Sequence, residues 1–230
     1  CFNVELLRGT WVHAAVMVIA MLSIIYGSTM AVRETHFKRR LAFSTISNLS
    51  YILLGVSMMS PLGLLAGMSH MVFHAFMKIG SFFCAGAMLH QSGKEYIDEL
   101  NGLAKKMPFV CFTFVIFSLS LIGIPLFAGF VSKWNIAAAA MDTGAGYPFA
   151  YLAVGVLLYS ALMTAVYMLT VAVRLWFPDR GYDRASNEGI TDPNWEMKLP
   201  LGIFAAVVLM FGLYSEPLMR ILRVIAAGGL

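Results

Sequence analysis

Residues 107–140, MPFVCFTFVIFSLSLIGIPLFAGFVSKWNIAAAA, form an apolar stretch longer than the ~20 helical residues that one bilayer crossing needs. Pro125 interrupts it, with Gly123 and Gly129 on either side. A proline inside a helix has no N–H to donate, and its ring clashes with the carbonyl four residues back, here that of Leu121. The stretch therefore reads as two half-helices joined by a short non-helical link at membrane depth. Lipid cannot satisfy the freed backbone groups, so the link must face protein or water. The stretch contains one charge, Lys133, just past the break and with no acid near it in sequence. A broken helix with an ionisable residue beside the break is the pattern of an ion pathway. The blander alternative is a proline kink with a lysine that snorkels to the interface.

The rest of the chain is of the same character. Hydrophobic residues make up 60% and charged residues 12%, about half the charged share of a soluble domain. The 230 residues accommodate about six helical crossings with short loops, so the fold class is an all-α membrane protein, one transmembrane domain over residues 1–230. The expected spans are residues 10–32, 41–60, 62–89, the broken helix at 107–140, 148–177 and 199–218. Residues 141–147 are expected to form a short turn, and residues after 218 a tail. Loops after the first, third and fifth spans contain the basic residues, among them Arg33, Lys38, Arg39, Arg40, Lys94, Lys105, Lys106, Arg180 and Arg184. Loops after the second and fourth contain none. Positive charge favours the cytoplasmic side, which puts those basic loops inside and both termini outside.

Several function classes drop out. The net charge of +4 does not indicate nucleic acid, because the basic residues lie in loops between apolar spans. There is no Gly-rich phosphate loop and no HExxH, and no Ser/His/Asp arrangement is apparent. Cys1, Cys84 and Cys111 form no CxxC pair, so neither a disulfide framework nor a thiolate metal site is expected. Residue 1 is Cys and no charged leader precedes the first span, so the sequence reads as a fragment, a processed product or a partial subunit.

Within the spans, polar residues fall on faces. Gly27, Ser28 and Thr29 form a small polar patch on the first span, fit for close packing on a neighbour. In the second, Ser44, Ser47, Asn48 and Tyr51 recur at helical spacing. That face must meet other helices or a hydrated cavity, and interhelical hydrogen bonding is the favoured reading. The third span contains His70, His74 and Lys78 at i, i+4 and i+8. Each step of four advances about 40° around the helix, so the three share a face and climb about 12 Å along it. The twelve acids all lie outside the apolar centres or at their edges. The interior groups that can hold a proton are thus His70, His74, Lys78 and Lys133. An ammonium taken from water into apolar surroundings loses stability relative to the amine, and histidine titrates near neutrality in any case. A hydrated route His70/His74–Lys78–Lys133 follows, with Ser81, Ser132 and Lys38 as accessory candidates. No metal is expected, since a His pair alone lacks the third ligand. No cofactor is expected either: a bis-histidine haem would need a second helix, where only His13 is on offer.

Four segments, in order, look like one known family. Residues 38–49, KRRLAFSTISNL, resemble the "KRxLAYSSIS" segment of the antiporter-like membrane subunits, which occur in respiratory complex I, Mrp-type sodium/proton antiporters and membrane-bound hydrogenases. Residues 70–86 resemble the helix "HxxxHAxxKxxLFxxAG". Residues 102–108, GLAKKMP, and 121–133 resemble the family's broken helix, with "GxPxFxGFxSK". The resemblance implies a fourteen-helix fold built on two inverted repeats, of which this chain is the last part. It assigns Lys133 to proton exit or exchange, and His70, His74 and Lys78 to a central hydrophilic axis. Lys38 falls at a helix end, where it need do no more than set topology. The resemblance also implies partners: other membrane subunits of an Mrp-type or complex I-like assembly in a bacterial or archaeal inner membrane, with redox chemistry left to them. Residues 195–214 resemble the Mrp D-type or hydrogenase-associated branch. The expected function is proton translocation, with sodium as the alternative ion. The rivals are a structural anchor and a haem or quinone redox subunit.

Overall fold

The structure, a computed structural model, describes residues 7–179 and 184–228. Cys1 and Arg180, which entered the sequence reading, lie outside them, as does the side chain of Arg184. The described residues form eight α-helices: α1 (Trp11–Arg33), α2 (Phe37–Ser57), α3 (Pro61–Ser92), α4 (Pro108–Ile122), α5 (Ala128–Gly146), α6 (Tyr151–Trp176), α7 (Trp195–Leu213) and α8 (Glu216–Gly228). Short 3-10 turns fill the connections, and among the described residues the only β-pairing is an isolated bridge between His36 and Tyr96.

The helix ends follow from local chemistry. Thr10 accepts the N–H of His13 at the start of α1, and Ser60 accepts that of Gly63, 3.1 Å away, at the start of α3. Pro61 and Pro108 occupy first turns, where a missing N–H costs nothing. Asp192, from a distant loop, accepts the N–H groups of Phe109 and Val110 at the start of α4, a carboxylate at the positive end of a helix.

Four segments are long and apolar enough to cross a membrane: Trp11–Arg33, Pro61–Ser92, Pro148–Trp176 and Trp195–Leu213. The α2 helix has 21 residues but is made more polar by its serine-rich face, and α4 and α5 are the two halves of the broken helix. Three expectations need correction. Lys38, Arg39 and Arg40 lie in the first turn of α2 rather than in a loop. Residues 141–146 are helical, because no proline stops α5 before Pro148 and Tyr147 still donates to the carbonyl of Thr143 at 2.9 Å. The segment after residue 215 is the amphipathic helix α8, with Met219, Leu222 and Ala226 buried at i, i+3 and i+7. Arg223 there pairs with Glu216 at 2.9 Å.

The α3 helix sits at the centre, packed on α2, α4, α5, α7 and α8. Its approach to α2 is close: a Cβ on Gly63 would meet the Gly55 carbonyl oxygen at 2.5 Å, and one on Gly67 the Ile52 carbonyl oxygen at 3.1 Å. Only small residues permit that contact. The basic loops gather at one end of the bundle. There Phe37 donates to Glu95, Ile97 to Thr35 and Gly102 to Arg174 through backbone bonds, while Arg174 pairs with Asp98. At the other end His13 Nε2 bonds the Ser57 carbonyl at 2.7 Å, and Arg8 and Thr143 donate to the carbonyls of Met59 and Met58.

Arg40 ties three segments at the basic end. Its buried guanidinium donates to the carbonyls of Glu34 (2.9 Å), Tyr167 (3.1 Å) and Val32 (3.4 Å). It thereby closes the end of α1 and holds α6 against it. Arg40→Met should cost about 3 kcal/mol, because three buried carbonyls lose a cationic donor. Arg39→Met, on a pair with Glu34 in which the arginine is exposed, should cost under about 1 kcal/mol. Thermal unfolding in detergent measures both, and equal midpoints would contradict the clamp.

Candidate functional site: a self-capped break and a file of buried cations

The α4 helix stops at Gly123 (φ +93°), whose N–H turns back to the carbonyls of Leu119 and Ser120. The link then runs to Phe127, with Leu126 at φ +81°, an uncommon conformation for a residue with a side chain. On the far side Gly212 of α7 lies against this link, so closely that a Cβ there would overlap the Leu126 carbonyl.

The two half-helices cap each other. Ser120 Oγ, from the end of α4, accepts the N–H of Gly129 in the first turn of α5 at 3.1 Å. Lys133 Nζ, one turn further along α5, donates to the carbonyls of Leu121 (2.5 Å) and Ile122 (3.2 Å) at the end of α4. The last carbonyls of α4 thus find partners, and at the start of α5 the N–H of Gly129 is capped from α4. The ammonium sits at the negative end of α4's dipole and 5.2 Å from the ring centre of Tyr51. Lys133 therefore turns back onto the break and does not reach away from it.

The other candidates assemble beside this joint. His70 Nδ1 lies 2.9 Å from Ser132 Oγ, the residue before Lys133. Ser132 is also within 3.3 Å of the Gly129 carbonyl. If its one proton goes to that carbonyl, His70 must hold its own proton on Nδ1, and Nε2 is then a free acceptor. The His70 and His74 rings stack with centroids 5.8 Å apart, and among the described residues neither buried Nε2 has a hydrogen-bond partner. Lys78, one turn beyond His74, is 5% exposed and donates to Ser44 Oγ at 2.7 Å. A pocket of about 430 Å³ opens beside His74 and Lys78, lined also by Thr45, Ile79, Phe82 and Phe83. Charges on His74, Lys78 and Lys133 repel one another, and no carboxylate among the described residues offsets them.

Two accessory candidates stand apart. Ser81 bonds back to the Met77 carbonyl of its own helix. Lys38 lies six residues before Ser44 on α2, about 9 Å along the axis.

The α2 face contacts a hydroxyl network. Ser44 Oγ is 2.6 Å from Tyr167 OH, which is 3.3 Å from Thr164 Oγ1. Ser28, Ser47 and Ser160 close a triangle with edges of 2.5, 2.8 and 3.1 Å. Ser44 and Ser47 thus bond across helices. Sequence reasoning overlooked the α6 members of this network, although Ser160, Thr164 and Tyr167 follow one another at spacings of four and three. Their lack of charge hid them. Among the described residues no group of three His, Cys, Asp or Glu side chains is placed to hold a metal.

This is a multi-pass membrane protein organised around a discontinuous helix and intramembrane cations. A family model described as the transmembrane part of NADH:quinone oxidoreductase and Mrp antiporters matches residues 2–164, and the chain belongs to that family. The chain is 32% identical over 206 residues to the NADH-quinone oxidoreductase subunit N of Desulforudis audaxviator, a match covering 86% of this chain and 40% of that one. It is 30% identical to the F(420)H(2) dehydrogenase subunit N of Methanosarcina mazei, over 88% of this chain and 41% of that one. It superposes on a chain of the Mrp complex from Dietzia sp. with a TM-score of 0.81 and 26% identity, covering 96% of this chain and 47% of that one. The chain thus spans about 40% of the length of the curated relatives it matches.

The joint can be tested by itself. A Cβ at Gly129 would overlap the Ser120 carbonyl, so Gly129→Ala should force the half-helices apart and sharply reduce folded protein in the membrane. Ser120→Ala removes one cap and should cost about 1 kcal/mol. If Gly129→Ala unfolds at the wild-type temperature in detergent, the self-capping account is wrong.

Proposed function

We propose that this protein moves protons across the membrane as a subunit of a multisubunit complex of the NADH-quinone oxidoreductase or Mrp type. Partner subunits supply any redox chemistry. The observation that carries the reading is the file Lys78, His74, His70, Ser132, Lys133, which runs through packed helices to the break without a carboxylate among its members. Family membership supports it, as do the complexes named for its relatives. Those relatives do not single out a branch, since the sequence matches reported above are quinone-oxidoreductase and F420H2-dehydrogenase subunits and the structural match is an Mrp complex.

The roles follow from the geometry. Lys78, beside the open pocket, takes up a proton. The stacked imidazoles, with Nε2 atoms free to accept, pass it along α3. The Ser132 hydroxyl connects His70 to the neighbourhood of Lys133. There the carbonyls of Leu121 and Ile122 favour the ammonium, and the charges upstream oppose it. A proton arriving on His74 or Lys78 therefore weakens the hold of Lys133 on its own. The file is a set of coupled sites whose mutual repulsion favours release.

The competing reading, a structural anchor, makes the same lysines into packing elements. Lys133→Gln separates the two, because the amide still donates to the α4 carbonyls but accepts no proton at working pH. In vesicles holding the whole assembly, Lys133→Gln should keep subunit content and lose at least about tenfold in proton flux, as should Lys78→Met. Lys133→Met should lose assembly as well. Wild-type flux in Lys133→Gln would overturn the translocation role and leave the anchor.

A further inference from the structure

We propose that Tyr167 is a positioning residue for Lys78, acting through the Ser44 hydroxyl. The inference rests on the translocation role of Lys78. The one hydrogen bond that Lys78 makes among the described residues goes to Ser44 Oγ at 2.7 Å. An ammonium only donates, so Ser44 accepts and its own proton must point elsewhere. Its neighbour is Tyr167 OH at 2.6 Å. Tyr167 in turn donates to Thr164 Oγ1 at 3.3 Å, and Thr164 donates to the Ser160 carbonyl at 2.7 Å. All four side chains are buried, with Ser44, Thr164 and Tyr167 at most 1% exposed.

The proton order in this chain is fixed when Lys78 is charged. Each O–H points away from the ammonium, so the dipoles of Ser44, Tyr167 and Thr164 align with their negative ends toward it. Aligned hydroxyls polarise one another in a medium of low dielectric. When Lys78 is neutral, its lone pair needs a donor. Ser44 can supply one by turning its proton to Nζ, and Tyr167 can then donate to Ser44 in place of Thr164. Tyr167 is the member with two acceptors to choose between, and the charge on Lys78 makes the choice. Its position does not depend on that choice, because Arg40 holds its backbone carbonyl at 3.1 Å.

The other charged or titratable groups near this pair are His74 on α3, Lys133 on α5, and Arg40 and Tyr51 on α2. The first three are cationic when charged and oppose the ammonium, and Tyr51 is a neutral phenol when protonated. The hydroxyl chain is the feature that favours it. Tyr167→Phe keeps the ring and its packing but leaves Ser44 without a polarising partner, so it should weaken the charged state of Lys78 more than the neutral one.

The test is the pH dependence of proton flux in vesicles containing the whole assembly. Tyr167→Phe should fall within about twofold of wild type at pH 6 and run about tenfold lower at pH 8, an acid displacement of about one unit. Thr164→Val, which ends the chain one bond later, should move the profile the same way by less, and guards against a Tyr167→Phe protein that fails to assemble. Tyr159→Phe, which removes the hydroxyl of the same helix that meets Thr29 at 2.8 Å, should leave the profile in place. A Tyr167→Phe profile that is only scaled down, or one shared by Tyr159→Phe, overturns the proposal while Lys78→Met still abolishes flux. Flux that survives Lys78→Met overturns the translocation role itself.

Discussion

A helix broken inside a bilayer leaves carbonyls at one end and N–H groups at the other with no water to bind them. Here the two ends repair each other. Ser120 reaches from α4 to the first turn of α5, and Lys133 reaches from α5 to the last turn of α4. Much else depends on this exchange. Gly129 must lack a side chain so that the ends can meet, and Gly212 must lack one so that α7 can lie against the link. The lysine is held at the break by the carbonyls that the break creates. A glutamate there would face the negative end of α4 and could not serve as its cap unless protonated.

The second organising element is the polar face of α2. Ser44, Ser47, Asn48 and Tyr51 stand between α3 and α5 on one side and α1 and α6 on the other. Tyr51 lies under the Lys133 ammonium and edge-on to His70. Ser44 receives Lys78 and meets Tyr167, while Ser47 joins Ser28 and Ser160. One helix face thus touches both ends of the cation file and also anchors the hydroxyls of α6. The face bonds across helices, as the sequence reading favoured, and at Ser44 it also holds a lysine of the file. In the proposed pathway, packing and function share the same atoms.

What was legible in the sequence was whatever depends on covalent chemistry and period. Pro125 fixed the break, hydropathy the spans, and the spacing of four the file on α3. Four things were not legible. The end of α5 was hidden because Gly144 and Gly146 look like turn residues, while the packing of Gly144 against the ring of Tyr151 keeps the helix going. The α8 helix was hidden because Arg220 and Arg223 suggested a tail, and its buried stripe of three residues is short. The hydroxyl chain on α6 was hidden because it has no charge, and its significance depends on which helix it meets, a tertiary fact. The role of Lys133 as a cap was equally out of reach, since nothing in a sequence says which way a lysine turns.

That last point bears on how one lysine could serve both as a structural cap and in the transport role proposed above. A cap is needed when the backbone has no other partner, and a proton carrier must lose its charge in each cycle. The two demands conflict only if the carbonyls of Leu121 and Ile122 require the ammonium. A neutral amine still donates two protons, so both carbonyls can stay bonded while the charge leaves. What is lost is the charge–dipole attraction, the cation–π contact with Tyr51 and the charge assistance of the two bonds, each on the order of 1 kcal/mol. Each is comparable to the 1.36 kcal/mol that corresponds to one pH unit, the scale on which a second charge on the file acts. Under the proposed translocation, capping by a donor that keeps its hydrogen bonds in both protonation states lets the break stay intact while the proton moves on.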